Sequence, residues 1–408
     1  MRRVLESFNC NGRAYRYPRR PTMAICLDGT APAYLEDALR RDLMPCLQSA
    51  LEAGGALLRA DAQVPTVTNV NNATIMTGVS AAVHGISGNH YLASDGSELQ
   101  LTDPGALRAQ TIHAAAAQAG VPVLVVTAKG KLTRLLGAGG VPSISAERAH
   151  EQTVPGLDGQ TGAEALGVRN PDVYDPAVSG YALDLALHLA ERLGARLVYC
   201  SLTDYVQHKA APGEPLADEF YGGLDERFGR ALDAGWVVGM VADHGMNAKT
   251  LPDGSPNVRY LRDVLAEAGI ESAHVLLPIT DPYVVHHGAL GSIAWVYVRT
   301  ADRAAARAAL AELGGVDVVL DREAAVRAFE LPPDRIGDLV VCADAATVLG
   351  KSEAEHDLAA VGTTLRSHGG LHERHVPLVI SHPMRDGVMG RRDLRNADLH
   401  DLLLNEVA

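Results

Sequence analysis

Seven side chains in five short fragments have the types that bind divalent metal and activate an alcohol. They are Asp28 in LDG (27–29), Thr68 in TVTNVNNATIMTG (66–78), Asp204 and His208 in TDYVQH (203–208), Asp243 and His244 in ADHGM (242–246), and His368 in RSHGG (366–370). Gathered in space, these oxygens and nitrogens suffice for two metal ions beside a hydroxyl nucleophile, a set suited to hydrolysis at phosphorus. Mixed carboxylate and imidazole ligation without thiolate suits two Zn²⁺ per chain, with Mn²⁺ or Fe as alternatives. Two divalent ions against three aspartates leave one surplus positive charge. A chain of net charge −13 needs that local surplus to accept an anion.

Thr68 sets a condition on the metals. Its default role is a helix N-cap, since the stretch after it could open a helix. As a nucleophile it needs ionisation, and a helix N-terminus contributes at most about 2 kcal/mol, or roughly one and a half pKa units. Metal lowers the pKa of a coordinated water from about 15.7 to about 7, a far larger effect. If Thr68 attacks, metal must assist it.

The elements that would position these residues follow from hydrophobic patterning. The stretches TMAICLDGT (22–30), VPVLVVTA (121–128), ARLVYCSLTD (195–204) and WVVGMVAD (236–243) read as strands that are apolar throughout. Helical patterns at 35–55, 106–120, 181–194 and 225–235 separate them. This is the texture of an α/β, doubly wound, mostly parallel sheet covered on both faces. In such a sheet ligands bind beyond the carboxyl ends of the strands. Asp28, Asp204 and Asp243 all fall there and should share one rim. One strand-end aspartate is usually a cap or turn residue; three such ends, two with histidine alongside, weaken that reading. From about 256 to 364 the pattern changes to strands and helices of a smaller α+β unit, expected as a cap inserted between core segments 20–255 and 365–408.

Bulk properties narrow the setting. Net charge −13 argues against nucleic acid, which demands a basic surface. No run of eighteen apolar residues occurs, so no membrane span is expected. Five scattered cysteines without a CxxC pair fit reduced thiols in the cytoplasm. The arginine-rich start, 1–20, reads as a solvated arm, and a homodimer is allowed for.

The fragments resemble the alkaline phosphatase superfamily, in its branch of nucleotide pyrophosphatases/phosphodiesterases and phosphonoacetate hydrolases. Pro65, Thr66, Thr68, Asn69, Asn71, Thr77 and Gly78 look like that branch's nucleophile segment, although Asn69-Val70-Asn71 stands where diesterases carry aromatic–Pro–Asn. The resemblance implies that Asp28, Thr68, Asp243 and His244 hold one zinc and that Asp204, His208 and His368 hold the other. GISGNHY (85–91) is similar to the loop that binds the phosphoryl oxygen, which puts Asn89 in that role. The 256–364 unit is then a cap that helps choose the substrate.

TAKGKL (127–132) follows a strand, so Lys129 and Lys131 should emerge at the metal rim. A pair of lysines is ordinarily a solvated loop; by the resemblance these match lysines that bind a substrate carboxylate. The implied reaction is C–P hydrolysis of phosphonoacetate, a small anionic phosphonate, to acetate and phosphate. Thr68 would attack phosphorus while the lysines meet the charge developing on the carboxylate. The rivals are a phosphodiesterase or nucleotide pyrophosphatase using the same zinc pair, which would want an aromatic platform, and a non-catalytic metal or phosphonate binder. His372 and His375 compete with His368 as ligand, the Gly pair favouring His368. His84 and His90 are expected to order their loop, and His286 and His287 to be structural.

Overall fold

The computed structural model describes residues 6–408 apart from 94, 102, 281–288 and 359–364. Its centre is a seven-stranded sheet in the order Ala56–Asp61, His375–Ile380, Val237–Val241, Thr22–Cys26, Leu197–Ser201, Val123–Thr127, Ser143–Ser145. All run parallel except His375–Ile380, which opposes both neighbours. Every residue of the Thr22–Cys26, Val123–Thr127, Leu197–Ser201 and Val237–Val241 strands is buried, as their unbroken apolar runs require for a sheet covered on both faces. The architecture is the expected α/β core.

Chain geometry makes the rim. Val237–Val241, Thr22–Cys26 and Leu197–Ser201 are parallel and adjacent. Asp243, Asp28 and Asp204 follow their respective ends by two or three residues, so neighbouring strands about 4.8 Å apart deliver three carboxylates to one edge.

Within 256–364 lies a second, antiparallel sheet, ordered His274–Leu276, Ile293–Tyr297, Leu339–Ala343, Val316–Asp321. Helices Arg303–Ala311 and Arg322–Phe329 accompany it, and Trp295 is wholly buried there. His286 and His287 lie outside the described residues.

Three expectations needed correction. The helix read over 35–55 is two helices, Pro32–Arg40 and Pro45–Glu52, separated by a turn with Asp42 at φ +59°. Pro45 has no N–H to continue the first helix and starts the second at its first turn. Strands Ala56–Asp61 and His375–Ile380 were not anticipated. The N-terminal stretch is no free arm from residue 7 onward. Ser7–Cys10 pairs with Arg13–Arg16 around Asn11-Gly12, both at positive φ, the two-residue turn that Asn-Gly favours. Phe8, Cys10 and Tyr15 are buried. The Asn11 amide donates to the carbonyls of Thr77 and Gln110, tying the hairpin to the end of the Thr68–Thr77 helix.

Candidate metal centre

Thr68 opens the Thr68–Thr77 helix, but the N-cap is Val67, in extended conformation, and makes no side-chain cap bond. The Thr68 hydroxyl is therefore not spent on capping. Its Oγ1 lies 3.5 Å from Asp28 Oδ1 and 3.4 Å from His244 Nε2. The chain entering this helix is held on several sides. Thr66 N–H donates to the Gly369 carbonyl at 3.1 Å, and Thr66 Oγ1 donates to the Gly370 carbonyl at 2.9 Å. The Asn71 amide donates to the carbonyls of Gln63, Pro65 and Val67. The Thr66 bonds clamp the start of this helix to the segment bearing His368, and the Asn71 bonds brace the chain that leads into it.

The three rim histidines share one arrangement. His208 Nδ1 faces the Arg366 carbonyl at 2.7 Å, His244 Nδ1 the Gly245 carbonyl at 2.9 Å, and His368 Nδ1 the Thr66 carbonyl at 2.7 Å. A carbonyl only accepts, so each Nδ1 carries a proton and Nε2 is the nitrogen left to face a metal. All three Nε2 atoms converge on carboxylates: His208 at 3.0 Å and His368 at 3.6 Å from Asp204 Oδ2, and His244 at 3.3 Å from Asp28 Oδ1. An imidazole oriented by a backbone carbonyl, with the other nitrogen aimed into an acidic cluster, is how proteins present histidine to metal. The His244 and His368 rings stack nearly parallel, with centroids 3.5 Å apart.

Two groups of ligand atoms lie within 4.8 Å of one another: Asp204, His208 and His368, and Asp28, Asp204 and His244. Asp204 belongs to both, so the two candidate sites adjoin. Asp243 sits beside the second group, its Oδ2 3.7 Å from His244 Nε2. Its oxygens also accept from His244 N–H in its own turn, from Gly29 N–H in the turn after the neighbouring strand, and from the Asn72 amide of the Thr68–Thr77 helix.

The electrostatics favour added positive charge. Burial, and then the charge of Asp28, pushes the Asp243 carboxyl well above the usual range. Burial alone would raise Asp204 too, but Lys129 and His208 overcome it and hold that carboxyl well below. Burial pulls His244 down, yet Asp243 and Asp28 win and raise it to about 9. Three aspartates this buried, at 2% exposure or less, are costly unless positive charge compensates them. Oxygen and imidazole donors without sulfur make that charge a good fit for zinc.

Lys129, the residue preceding the Gly130–Leu136 helix, reaches into the same cluster. Its Nζ stands 3.0 Å from Asp204 Oδ1 and 3.5 Å from Asp28 Oδ2. Lys131 lies in the first turn of that helix, half-buried. Asn89 is buried, and its Nδ2 donates to the Ile279 carbonyl at 3.1 Å, its second hydrogen having no acceptor among the described residues. His372 pairs with Asp317 and His375 with Asp61, both exposed and turned away from the cluster. His84 is buried against Thr74 Oγ1 and accepts from Ile86 N–H, which orders its loop.

Sequence reasoning missed Asn72 and Tyr199. The Tyr199 hydroxyl donates to Asn72 Oδ1 at 2.7 Å, which aims the Asn72 amide at Asp243 Oδ2 (3.3 Å) and the Thr68 carbonyl (3.0 Å). The available signal was spacing: Asn72 lies one helical turn after Thr68, and Tyr199 lies on the strand that delivers Asp204.

The family model for type I phosphodiesterase / nucleotide pyrophosphatase matches residues 22–371, a span holding Asp28, Thr68, Asp204, His208, Asp243, His244 and His368. The chain belongs to that family. Two crystal structures of phosphonoacetate hydrolase from Sinorhizobium meliloti 1021, one with phosphonoformate and one with phosphonoacetate, are each 43% identical to it. They cover 98% of this chain and 99% of their own, with a TM-score of 0.93. Human ectonucleotide pyrophosphatase/phosphodiesterase 5 shares the fold, at 16% identity and a TM-score of 0.67 over 95% of this chain and 96% of its own. This phosphodiesterase-family chain is thus a hydrolase acting on phosphonates or phosphoesters, with aspartate–histidine groups that could hold metal. Among the described residues, no helix is long and apolar enough to cross a membrane.

Proposed function

We propose that the chain hydrolyses the C–P bond of phosphonoacetate, giving acetate and phosphate, with Thr68 as nucleophile and two zinc ions. The observation that carries this reading is that a hydroxyl and an ammonium reach the same buried acid cluster. Thr68 Oγ1 is 3.5 Å from Asp28 Oδ1, and Lys129 Nζ is 3.5 Å from Asp28 Oδ2. A substrate with a phosphonate at one end and a carboxylate at the other suits that pairing. The 43% identical relative crystallised with phosphonoacetate supports the choice.

Asp28, Thr68, Asp243 and His244 would hold one ion, and Asp204, His208 and His368 the other. Bound zinc would supply Lewis-acid polarisation of phosphonate oxygens and lower the pKa of a coordinated alcohol or water. The protein supplies position. Thr68, fixed by its clamped entry segment, attacks phosphorus in line, and Asn89 donates its free amide hydrogen to a phosphonate oxygen. The C–P electron pair passes into the carboxylate as an enolate, whose growing negative charge Lys129 and Lys131 meet as it develops. Protonation at carbon gives acetate. Water then attacks the phosphothreonine, releasing phosphate and restoring Thr68. Residues 256–364 act as the cap over the core formed by 20–255 and 365–408, and the reduced, largely buried thiols suit a cytoplasmic enzyme.

The test is phosphate release from a panel of phosphonates, phosphate monoesters and aryl phosphodiesters with added Zn²⁺. Phosphonoacetate should be turned over best. Turnover confined to diesters would move the chain to the phosphodiesterase reading, and zinc uptake without any turnover would leave a binder.

A further inference from the structure

Lys249 and Glu373 form an ion pair that is wholly buried, with Nζ–Oε1 at 2.8 Å and neither side chain exposed. A buried pair of this kind is poor evidence for stability, because desolvating two charges costs about what their attraction returns. Its neighbours suggest another use. Glu373 Oε2 accepts from Gly370 N–H at 3.1 Å, two residues beyond His368. Glu373 Oε1 also accepts from the Asn247 amide at 2.7 Å, and the Glu373 carbonyl accepts from Gly245 N–H at 2.7 Å, next to His244. One residue thus ties the ADHGM turn to the SHGG turn.

Lys249 extends the connection outward. Its Nζ donates to the Ala345 carbonyl at 2.8 Å, in the loop after the Leu339–Ala343 strand of the antiparallel sheet. Its backbone N–H donates to the Leu365 carbonyl at 2.8 Å, just before Arg366–Ser367. The SHGG turn is pinned from the same sheet, since Ser292 N–H donates to the His368 carbonyl at 2.9 Å. There is no slack in this turn. Gly369 has φ +118°, and a Cβ on Gly370 would stand 2.8 Å from Ser292 Cβ. A shift of the Ala345 loop therefore has a hydrogen-bonded route to the SHGG turn through Lys249 and Glu373, beside the one through Ser292.

We propose that Lys249 and Glu373 are positioning residues: their buried pair sets His368 in register with Asp204 and couples that register to the antiparallel sheet. This rests on the two-metal reading above. Residues that orient metal ligands typically cost 10–100-fold in metal affinity when removed.

The experiment compares wild type, Lys249→Met, Glu373→Gln and the double variant Lys249→Met/Glu373→Gln, with three readouts. These are thermal midpoint, zinc affinity by chelator competition, and hydrogen exchange of 365–371 in metal-free protein against the Val237–Val241 strand. The double variant removes the unpaired charge and keeps an acceptor for Gly370 N–H, so it carries the test if a single variant does not fold. It is expected to recover the wild-type thermal midpoint of the metal-free protein while one of two zinc ions binds 10–100-fold more weakly. Exchange in 365–371 should rise about tenfold, a matching loss of local order, with the core strand unchanged. Recovery of midpoint, affinity and exchange together would overturn the proposal, leaving the pair a matter of charge balance. Wild type that takes up no zinc would remove the two-metal reading instead. The exchange arm, which uses no metal, would then still decide: unchanged exchange in 365–371 overturns the coupling, and local loosening upholds it.

Discussion

Two sets of buried histidines differ in what their rings face. At the rim, His208, His244 and His368 turn Nδ1 to carbonyls and Nε2 to carboxylates, and His244 is raised to about 9 because Asp243 and Asp28 outweigh burial. Against the other side of the Thr68–Thr77 helix, His400 Nδ1 meets the Ile75 carbonyl, and its ring packs edge-on against His113 with centroids 5.3 Å apart. Both His113 nitrogens and His400 Nε2 have no hydrogen-bond partner among the described residues. Burial pushes His113 well below its usual value and His400 down to about 4. Burial is common to both sets. The converging carboxylates are what make one of them a cation site.

The largest effect should come from separating chemistry from cation holding. Thr68→Ala is expected to keep its zinc and lose on the order of 10⁴–10⁶ in kcat, the scale on which removing a nucleophile acts. Phosphate release alongside metal analysis reads both, and substantial residual turnover would mean that water attacks directly. Next, His368→Ala should lower zinc from two ions towards one and weaken activity by more than about 100-fold, since even outer-shell partners cost 10–100-fold. The matching change at His400 should leave zinc content at two. Equal metal loss in both variants would dissolve the distinction between the two sets. Smaller again, Lys129→Ala should reduce phosphonoacetate turnover by about 10²-fold, the size of losing one charge-stabilising donor. It should affect p-nitrophenyl phosphate far less, and equal losses would remove the carboxylate role.

Much of the rim was legible because it depends on local order along the chain. Asp28, Asp204 and Asp243 follow apolar strands directly, and the four-residue step from Asp204 to His208 is one helical turn. His368 was legible for a different reason: its Gly pair allows a turn at φ +118°. What stayed hidden depends on contacts far apart in sequence. His375–Ile380 joins the sheet only by pairing with Ala56–Asp61 and Val237–Val241, and nothing in its own pattern names those partners. Asn72, Tyr199, Lys249 and Glu373 are likewise ordinary residues until folding opposes them. The hairpin at 7–16 is different, since Asn11-Gly12 between alternating residues announces such a turn amid the surrounding arginines. The break at Pro45 was also written in the sequence.

The smallest predicted effect concerns stability against acid. His84 is lowered to about 3 and His400 to about 4, burial being the first cause for each. A base whose folded pKa is depressed stays neutral in the fold while the unfolded chain takes up a proton below about 6.5. Its contribution is complete above pH 6.5 and is lost as pH falls towards the folded value. At pH 5 each such histidine therefore costs about 2 kcal/mol relative to neutrality. His400→Asn keeps a donor for the Ile75 carbonyl but has nothing to titrate. Denaturant unfolding of the metal-free protein at pH 7 and pH 5 should show a fall in stability that is smaller by about 2 kcal/mol in the variant. An identical fall would mean that acid acts through other buried groups, His84 and His113 among them, and the His400 ring would then have no part in it.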